Sequence, residues 1–269
     1  MSTVGIIGVG RMGEPIMGHL VRHGHDVSAF DVNDRSEATE KAGATWISDV
    51  SDLARSSEFI LICVGYDKEV VEVMTGLGGL FESAAAGSVV AILSTVMPET
   101  VAELAEIGAR SDISVVDASV CRGSWFADSG TLLSFIGGPA DVYERLKDVV
   151  SAYSSDIVHS GPVGTSQVCK AANNLILWAC LIADHEAFTL ADRYGVDIEA
   201  LRKALLTSSA TNGALDLWGK QTMAWAEDDM VIVGAMANKM GISLPQAGLN
   251  REISRALLPR RYDVSKYGV

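Results

Sequence analysis

The chain lacks the features that mark several large classes of protein. Its four cysteines (Cys63, Cys121, Cys169 and Cys180) are scattered, with neither a C-x-x-C pair nor the spacing of a zinc site. This pattern favours free thiols in a reducing compartment and predicts no metal. The longest strongly apolar run, Leu175–Ala183, is far shorter than the about 20 residues that a membrane-spanning helix needs. The start of the sequence has no basic and apolar regions typical of a signal peptide, so we expect a cytoplasmic protein with no membrane partner.

Positive charge is also scarce. Lysine and arginine number 21 against 34 acidic residues, which gives a formal net charge of −13 over 269 residues. A nucleic-acid partner requires a basic face, so none is expected. An anionic cofactor remains compatible with this charge, because backbone N–H groups at a helix N-terminus can bind phosphate. The apolar fraction of 48% is that of an ordinary globular protein, and the length allows one large or two modest domains.

Short β-branched runs alternate with helical patterns through the first part of the chain. Such alternation predicts an α/β domain with a Rossmann-like, doubly wound parallel sheet and helices on both faces. The predicted strands are Val4–Ile7, Asp26–Asp31, Phe59–Val64, Val89–Leu93, Val115–Val120, Leu132–Ile136 and Ile157–His159.

The strand pattern disappears after the Gly161–Gly164 segment. A long helix is predicted over Gln167–Tyr194 with Gly195 as its cap, followed by helices at Ile198–Leu206, Asp216–Ala226, Met230–Met240 and Pro245–Leu257. We therefore predict an α/β domain of residues 1–162 and an all-helical domain of residues 163–269. The later helices are few for covering the apolar Leu175–Ile182 stretch, so we expect a homodimer or homotetramer.

A glycine-rich turn follows the first predicted strand. Gly8, Gly10 and Gly13 form G-x-G-x-x-G, which permits a tight turn, close approach of the backbone to a pyrophosphate, and close packing of helix on strand. The next strand ends at Asp31, which can accept hydrogen bonds from ribose hydroxyls and repel a 2′-phosphate, so NAD is favoured over NADP. Arg35 is the competing observation, because an arginine there can accommodate that phosphate. The alternative is a structural turn with a surface acid. The predicted cofactor-binding residues here are Gly8, Val9, Gly10, Arg11, Met12, Gly13 and Asp31.

One lysine and two asparagines open the long helix. Lys170 stands among apolar and small residues, Asn174 lies four residues later on the same face, and Asn173 is one step off it. A lysine partly withdrawn from water is suited to proton transfer near neutral pH, and an amide one turn away can orient a substrate hydroxyl. The alternative is a lysine whose stem packs on apolar surface, beside a helix-terminal asparagine pair.

Four ordered motifs resemble the consecutive signatures of the β-hydroxyacid dehydrogenase family, which includes 3-hydroxyisobutyrate dehydrogenase, tartronate semialdehyde reductase and, more distantly, 6-phosphogluconate dehydrogenase. They are GIIGVGRMGEPIMGHLVRHGHDV, STVMPET, DASVCRG with GTLLSFIGG, and GPVGTSQVCKAANN. The resemblance implies that Lys170 is the catalytic acid/base and that Asn174 orients the substrate. It also implies that Val64-Gly65 and Ser94-Thr95 line the nicotinamide side, and that the helical domain dimerises.

The predicted substrate loop departs from the family pattern D-A-P-V-S-G-G. Cys121 replaces the serine and Arg122 replaces a glycine before Gly123, while Phe126 stands beside Trp125 where a glycine is common. A thiol is a poorer hydrogen-bond partner than a hydroxyl. Arg122 either grips an anion with two hydrogen bonds or points to solvent. We predict Cys121, Arg122, Gly123 and Asn173 as substrate-binding residues, in a remodelled and more apolar pocket.

A second departure lies near the C-terminal end. The family places a lysine where this sequence has Asp228, within the acidic run Glu227–Asp229. The run either complements a helix macrodipole or leaves a site with one cation fewer, suited to a less anionic small-molecule substrate. Asp228 is therefore a predicted substrate-side residue.

The motifs together predict an NAD-dependent oxidoreductase that moves a hydride between nicotinamide and a small β-hydroxy acid or its semialdehyde. Two alternatives are an imine or other carbonyl reductase with a remodelled pocket, and a non-catalytic nucleotide-binding protein. Retention of Lys170 counts against the first, because related imine reductases generally replace that lysine. The Lys170, Asn173 and Asn174 group counts against the second, because nucleotide binding alone does not need it.

Overall fold

The computed structural model describes residues 1–221, 223–260 and 262–266, with only the backbone of residue 260. The strands are β1 (Thr3–Ile7), β2 (Asp26–Phe30), β3 (Thr45–Trp46), β4 (Phe59–Ile62), β5 (Val89–Ile92), β6 (Ser114–Asp117), β7 (Val120–Cys121), β8 (Leu132–Gly137) and β9 (Ser154–Gly161). The helices are α1 (Gly13–Arg22), α2 (Ser36–Ala42), α3 (Val50–Ser56), α4 (Asp67–Thr75), α5 (Leu80–Ser83), α6 (Pro98–Ala109), α7 (Ser124–Ser129), α8 (Ala140–Ser151), α9 (Thr165–Arg193), α10 (Ile198–Leu205), α11 (Gly213–Asp216), α12 (Ala226–Lys239) and α13 (Pro245–Leu257).

The strands form one twisted sheet in the order β3-β2-β1-β4-β5-β6-β8-β7, with β9 also paired to β8. Pairing is parallel from β3 through β6, antiparallel between β8 and both β6 and β7, and parallel again between β8 and β9. The chain order reverses between β1 and β4. In doubly wound folds a ligand binds at such a switch point, outside the carboxyl ends of the strands. The fold class predicted from sequence is confirmed.

Both faces of the sheet are buried. Along β1, Ile6 packs into one apolar cluster and Ile7 into the other, and along β4 Leu61 and Ile62 divide in the same way. This division explains why these strands read as continuous apolar runs rather than as alternating ones. The sheet is therefore a rigid platform for the loops at its carboxyl edge.

The strand prediction missed two short strands and was wrong at one place. Thr45–Trp46 and Val120–Cys121 form β3 and β7, while the predicted strand Val115–Val120 is interrupted after Asp117. Ser119 breaks the ladder because its N–H donates to the Ser166 hydroxyl at 2.8 Å. The break redirects the chain, so that β7 pairs antiparallel with β8.

Contacts within the chain define two compact units, Met1–Lys170 and Ala171–Val269. The division falls inside α9, so the predicted boundary between residues 162 and 163 stays a prediction. Among the described residues, no helix has both the length and the apolar character needed to cross a membrane.

Helices are the only regular secondary structure among the described residues of the second unit. Trp178, Leu181 and Ile182 of α9 form its core with Met230 and Val233 of α12. At the end of α9, Gly195 adopts a left-handed φ of 76°, and its N–H donates to the Asp192 carbonyl at 2.9 Å, as a C-terminal cap does.

The predicted helix Asp216–Ala226 was wrong. Helix α11 ends at Asp216 and α12 begins at Ala226. The described residues between them form turns and irregular backbone, and Gly219 has a φ of 85°, which no right-handed helix can contain.

Candidate active site

The three glycines after β1 occupy three different environments. Gly8 has a φ of 96°, and a Cβ there would lie 2.3 Å from the Cys63 carbonyl oxygen. A Cβ on Gly13 would lie 1.9 Å from the Gly8 carbonyl oxygen, whereas a Cβ on the exposed Gly10 would meet nothing within 4 Å. Gly8 and Gly13 therefore let the turn close, and Gly10 leaves open space at the start of α1. This geometry fits a dinucleotide pyrophosphate, because backbone N–H groups there can donate to phosphate.

Asp31 follows β2 and holds the glycine turn. Its carboxylate accepts hydrogen bonds from the backbone N–H of Val9 and of Asn33, each at 2.8 Å. Asp31 thus lies at the carboxyl edge of the sheet beside the turn, where a ribose would be recognised. Arg35 precedes α2 and lines an open groove between α1 and α2 together with Arg22 and Lys41.

The predicted nicotinamide-side residues follow β4 and β5. The Ser94 hydroxyl accepts a hydrogen bond from the Val64 N–H at 3.0 Å and donates to the Val64 carbonyl at 3.1 Å. Thr95 is half-buried. Gly65 is exposed, and the Glu69 side chain lies next to it. The two loops are therefore held together next to the switch point of the sheet.

Lys170 lies on the second turn of α9. Its Nζ donates to the Val120 carbonyl oxygen at 2.7 Å, which fixes the half-buried side chain next to the Cys121–Gly123 segment.

A network that sequence reasoning missed holds the start of α9 against the sheet. The buried Asp117 carboxylate accepts hydrogen bonds from the Gly164 N–H at 2.8 Å and the Gln167 N–H at 3.0 Å. Burial raises the pKa of Asp117, and these N–H donors oppose that rise. The Gln167 amide accepts from the Val96 N–H at 3.1 Å and donates to the Ser94 carbonyl at 2.9 Å. The only sequence signal for this network was the polar Thr165–Gln167 run before an apolar helix.

Asn173 and Asn174 follow Lys170 on the same continuous helix. Asn174 is one turn after Lys170 and is buried, and its Oδ1 accepts a hydrogen bond from Asn173 Nδ2 at 3.0 Å. The pair therefore fixes the orientation of the Asn174 amide.

The Arg122 guanidinium is held by hydrogen bonds within the protein, and both of its predicted roles stay predictions. It donates to the Thr131 carbonyl and the Ser155 hydroxyl at 2.8 Å each, and to the Asp156 carboxylate at 2.7 Å, while the residue as a whole remains exposed. Its backbone has a φ of 85°, so this position keeps the left-handed conformation that a glycine would adopt freely. Gly123 has a φ of 79°, and Cys121 is buried.

Arg11 is also engaged within the protein. Its guanidinium donates to both carboxylate oxygens of Asp128, at 2.7 and 2.6 Å. The Arg11 side chain holds the pKa of Asp128 below its usual range. The glycine turn is thereby joined to α7, which directly follows Gly123.

The three acids at the start of α12 separate in their contacts. Glu227 pairs with Arg255, Asp229 is buried and accepts a hydrogen bond from the Trp178 indole at 3.1 Å, and Asp228 is exposed. All three lie in the first helical turn, where negative charge is favourable.

The described residues include no group of three His, Cys, Asp or Glu side chains that could hold a metal ion. Burial raises the pKa of Cys63, beneath the glycine turn, to about 12, so that side chain remains a thiol at neutral pH.

Two family models match the chain. The NAD binding domain of 6-phosphogluconate dehydrogenase matches residues 3–161, and the NAD-binding domain of NADP-dependent 3-hydroxyisobutyrate dehydrogenase matches residues 164–263. The chain belongs to the β-hydroxyacid dehydrogenase family. Membership in this family supports an oxidoreductase that uses NAD(P) and acts on a small hydroxyacid substrate.

Individual β-hydroxyacid dehydrogenases and their relatives agree with this membership. An uncharacterized oxidoreductase of Bacillus subtilis is 29% identical, over 93% of this chain and 88% of its own length. A probable mitochondrial 3-hydroxyisobutyrate dehydrogenase of Dictyostelium discoideum is 32% identical over 78% of this chain, but the match spans only 65% of that protein. The solved structure of Mycobacterium tuberculosis 3-hydroxyisobutyrate dehydrogenase with L-serine has a TM-score of 0.85 at 21% identity, covering 98% of this chain and 96% of its own. At this identity the last likeness shows the fold.

Proposed function

We propose that the protein transfers a hydride between NAD and a small β-hydroxy acid or its semialdehyde, with Lys170 as general acid/base. The observation that carries the proposal is the 2.7 Å hydrogen bond from Lys170 Nζ to the Val120 carbonyl. It holds a proton-transfer group beside the loop Cys121–Gly123, in the same compact unit as the glycine turn. Proximity of this kind is a major part of what a dehydrogenase contributes, because the redox chemistry belongs to the cofactor.

The residues suited to holding the cofactor are the Gly8–Gly13 turn, Asp31, and the Val64-Gly65 and Ser94-Thr95 loops. When bound, the nicotinamide supplies or accepts the hydride. We propose NAD rather than NADP, because the Asp31 carboxylate beside the turn would repel a 2′-phosphate. Arg35, Arg22 and Lys41 are the cations whose groove would favour the opposite preference. Comparison of kcat/KM for the two nucleotides decides the matter, and higher efficiency with NADP would refute the assignment.

Lys170 has a defined part in the oxidation direction. Neutral Lys170 accepts the proton of the substrate hydroxyl as the hydride leaves the carbon that carries this hydroxyl. The Val120 carbonyl stabilises the resulting ammonium. In the reduction direction the ammonium returns the proton to the carbonyl oxygen. Asn174, held by Asn173, orients the substrate oxygen one helical turn away.

The substrate class rests on the relatives and on the loop. Proteins named 3-hydroxyisobutyrate dehydrogenase resemble this chain, and L-serine, present in the Mycobacterium structure, is itself a β-hydroxy acid. With Arg122 committed to Asp156, we propose that the backbone N–H groups of Arg122 and Gly123 take over recognition of the substrate carboxylate. The sequence has Asp228 where the family pattern has a lysine, which supports a substrate with less negative charge, such as a monocarboxylate.

Substitution of Lys170 tests the proposal. Lys170→Ala is expected to lower turnover by about 10²–10⁴-fold while leaving NADH affinity nearly unchanged, the usual range for loss of a general acid/base. Lys170→Arg is expected to be equally poor, because a guanidinium does not release its proton. Lys147→Ala, which removes a surface lysine from α8, is the matched control and should keep full turnover. Wild-type turnover by folded Lys170→Ala protein would overturn the assignment.

A panel of candidate substrates distinguishes the proposed dehydrogenase from the two alternatives, an imine or other carbonyl reductase and a non-catalytic nucleotide-binding protein. Nicotinamide absorbance is followed with β-hydroxy acids, semialdehydes and cyclic imines. Turnover of imines alone would support an imine reductase, and nucleotide binding without any turnover would support a non-catalytic nucleotide-binding protein.

A further inference from the structure

The segment that contains the proposed carboxylate-binding N–H groups is anchored by two ion pairs. We call residues 122–131 the loop segment. Near its start Arg122 pairs with Asp156 at 2.7 Å, and near its end Asp128 pairs with Arg11 through two hydrogen bonds. The first pair fastens the loop segment to β9, whereas the second fastens it to the glycine turn.

The connection to the turn is reinforced by a second contact. His19, on the helix that the turn opens, places Nε2 3.1 Å from the Ala127 carbonyl and 3.2 Å from the Asp128 carbonyl. A Cβ on Gly130 would lie 2.6 Å from the His19 ring, so only a glycine allows this approach. Helix α1 and the loop segment are therefore in close contact over several residues.

We propose that the Arg11–Asp128 pair couples nucleotide binding to the order of the loop segment, so that Arg11 and Asp128 are positioning residues. This inference rests on the proposed function, because it takes the glycine turn to bind a nicotinamide dinucleotide. A diphosphate held by the turn fixes the backbone that carries Arg11. Formation of the Arg11–Asp128 ion pair then costs less conformational entropy than it does without nucleotide. The loop segment therefore becomes more ordered.

The physical size of the coupling is limited. Both side chains are about half exposed, at 48% and 50%, and an exposed ion pair contributes at most a factor of about five to an equilibrium. Because coupling between sites is reciprocal, a ligand that orders the loop segment tightens nucleotide binding by the same factor. Each ligand therefore binds more tightly when the other is already bound, by no more than this factor.

Amide hydrogen exchange of the loop segment tests the coupling without requiring turnover. In the wild-type protein, saturating NADH is expected to slow exchange over residues 122–131 by about three- to fivefold, within the limit for an exposed pair. Asp128→Asn should bind NADH with nearly unchanged affinity but should show no such slowing.

Asp156→Asn is the matched control, because it releases the other end of the same loop segment without touching the turn. This variant should raise exchange of the loop segment in the absence of nucleotide and should keep the slowing caused by NADH. The inference is overturned if wild-type protein binds NADH without slowing exchange, or if Asp128→Asn responds as fully as wild type. If NADH fails to bind at all, the proposed function falls together with the inference.

Discussion

Arg122 combines a left-handed backbone with a side chain that holds the loop. The residue adopts a φ of 85°, which costs an L-residue about 1–2 kcal/mol relative to glycine. The cost is offset by the guanidinium, which closes the loop onto Thr131, Ser155 and Asp156. The loop therefore combines a backbone conformation that favours glycine with an anchoring side chain.

The glycines of the turn give a residue-scale prediction. Gly13→Ala places a Cβ 1.9 Å from the Gly8 carbonyl oxygen, so it should lower the free energy of unfolding by about 1–3 kcal/mol or more, as overpacking does. Gly10→Ala meets no protein atom and should leave stability nearly unchanged. It should nevertheless weaken NADH binding by about tenfold or more, because the methyl group occupies the approach of the pyrophosphate. Urea unfolding and NADH fluorescence titration measure the two effects. A Gly10→Ala protein that loses stability, or that binds NADH as tightly as wild type, would contradict the prediction.

At the scale of elements, the start of α9 is the part on which the site depends most. Asp117, Ser166 and Gln167 fasten the helix to the ends of three strands, and Lys170 follows within one turn. The position of Lys170, the proposed proton-transfer group, is thus set by hydrogen bonds that neighbouring residues make.

Replacement of Gln167 tests this dependence. Gln167→Leu leaves the buried Ser94 carbonyl and Val96 N–H without partners and should lower the free energy of unfolding by about 1–3 kcal/mol. Turnover should fall, because loss of these contacts displaces the start of α9 that carries Lys170. The control is Glu106→Leu, the same kind of change at an exposed position of α6. Unchanged kcat in folded Gln167→Leu protein would show that α9 is positioned by other contacts.

At the scale of the whole molecule, the last described residues are held by a neutral histidine. Buried His185 contacts the Leu181 carbonyl through Nδ1 at 2.8 Å and accepts a hydrogen bond from the Tyr262 N–H through Nε2 at 2.8 Å. The second bond requires an unprotonated Nε2. Burial lowers the pKa of His185, so its protonation is linked to loss of this contact.

The linkage predicts a pH dependence of stability. Because the folded pKa lies below the unfolded value of about 6.5, stability should fall as pH drops from 7 toward 5.5, where the unfolded chain takes up the proton first. Burial also lowers the pKa of His19 and His25, so both act in the same direction. His185→Gln should be less stable at pH 7 but should lose less stability across this window. The exposed His23→Gln should follow wild type, and a pH-independent wild type would contradict the linkage.

Assembly is the second prediction at this scale. Helix α9 leaves Ile176 at 63% and Leu190 at 62% exposure, on the face opposite its core residues, with small residues between them. We expect these side chains to be covered by a second copy of the chain. Ile176→Glu should convert the assembly to a monomer in light scattering, whereas Leu77→Glu, at a fully exposed loop position, should not. A monomeric wild-type protein at micromolar concentration would refute the expectation.

The sequence by itself determined the α/β fold, the glycine turn with Asp31, and the long helix that carries Lys170, because each is written in local patterns of glycine, charge and apolar spacing. Only the tertiary structure decided which partners the long side chains contact and which polar groups, far apart in the chain, form hydrogen bonds with each other. Arg122 forms an ion pair with Asp156, Arg11 forms one with Asp128, and Asp117 accepts a hydrogen bond at the start of α9. Such contacts depend on which strand ends meet at the sheet edge. The conformations of β7 and of the irregular stretch before α12 are likewise determined by packing rather than by local propensity.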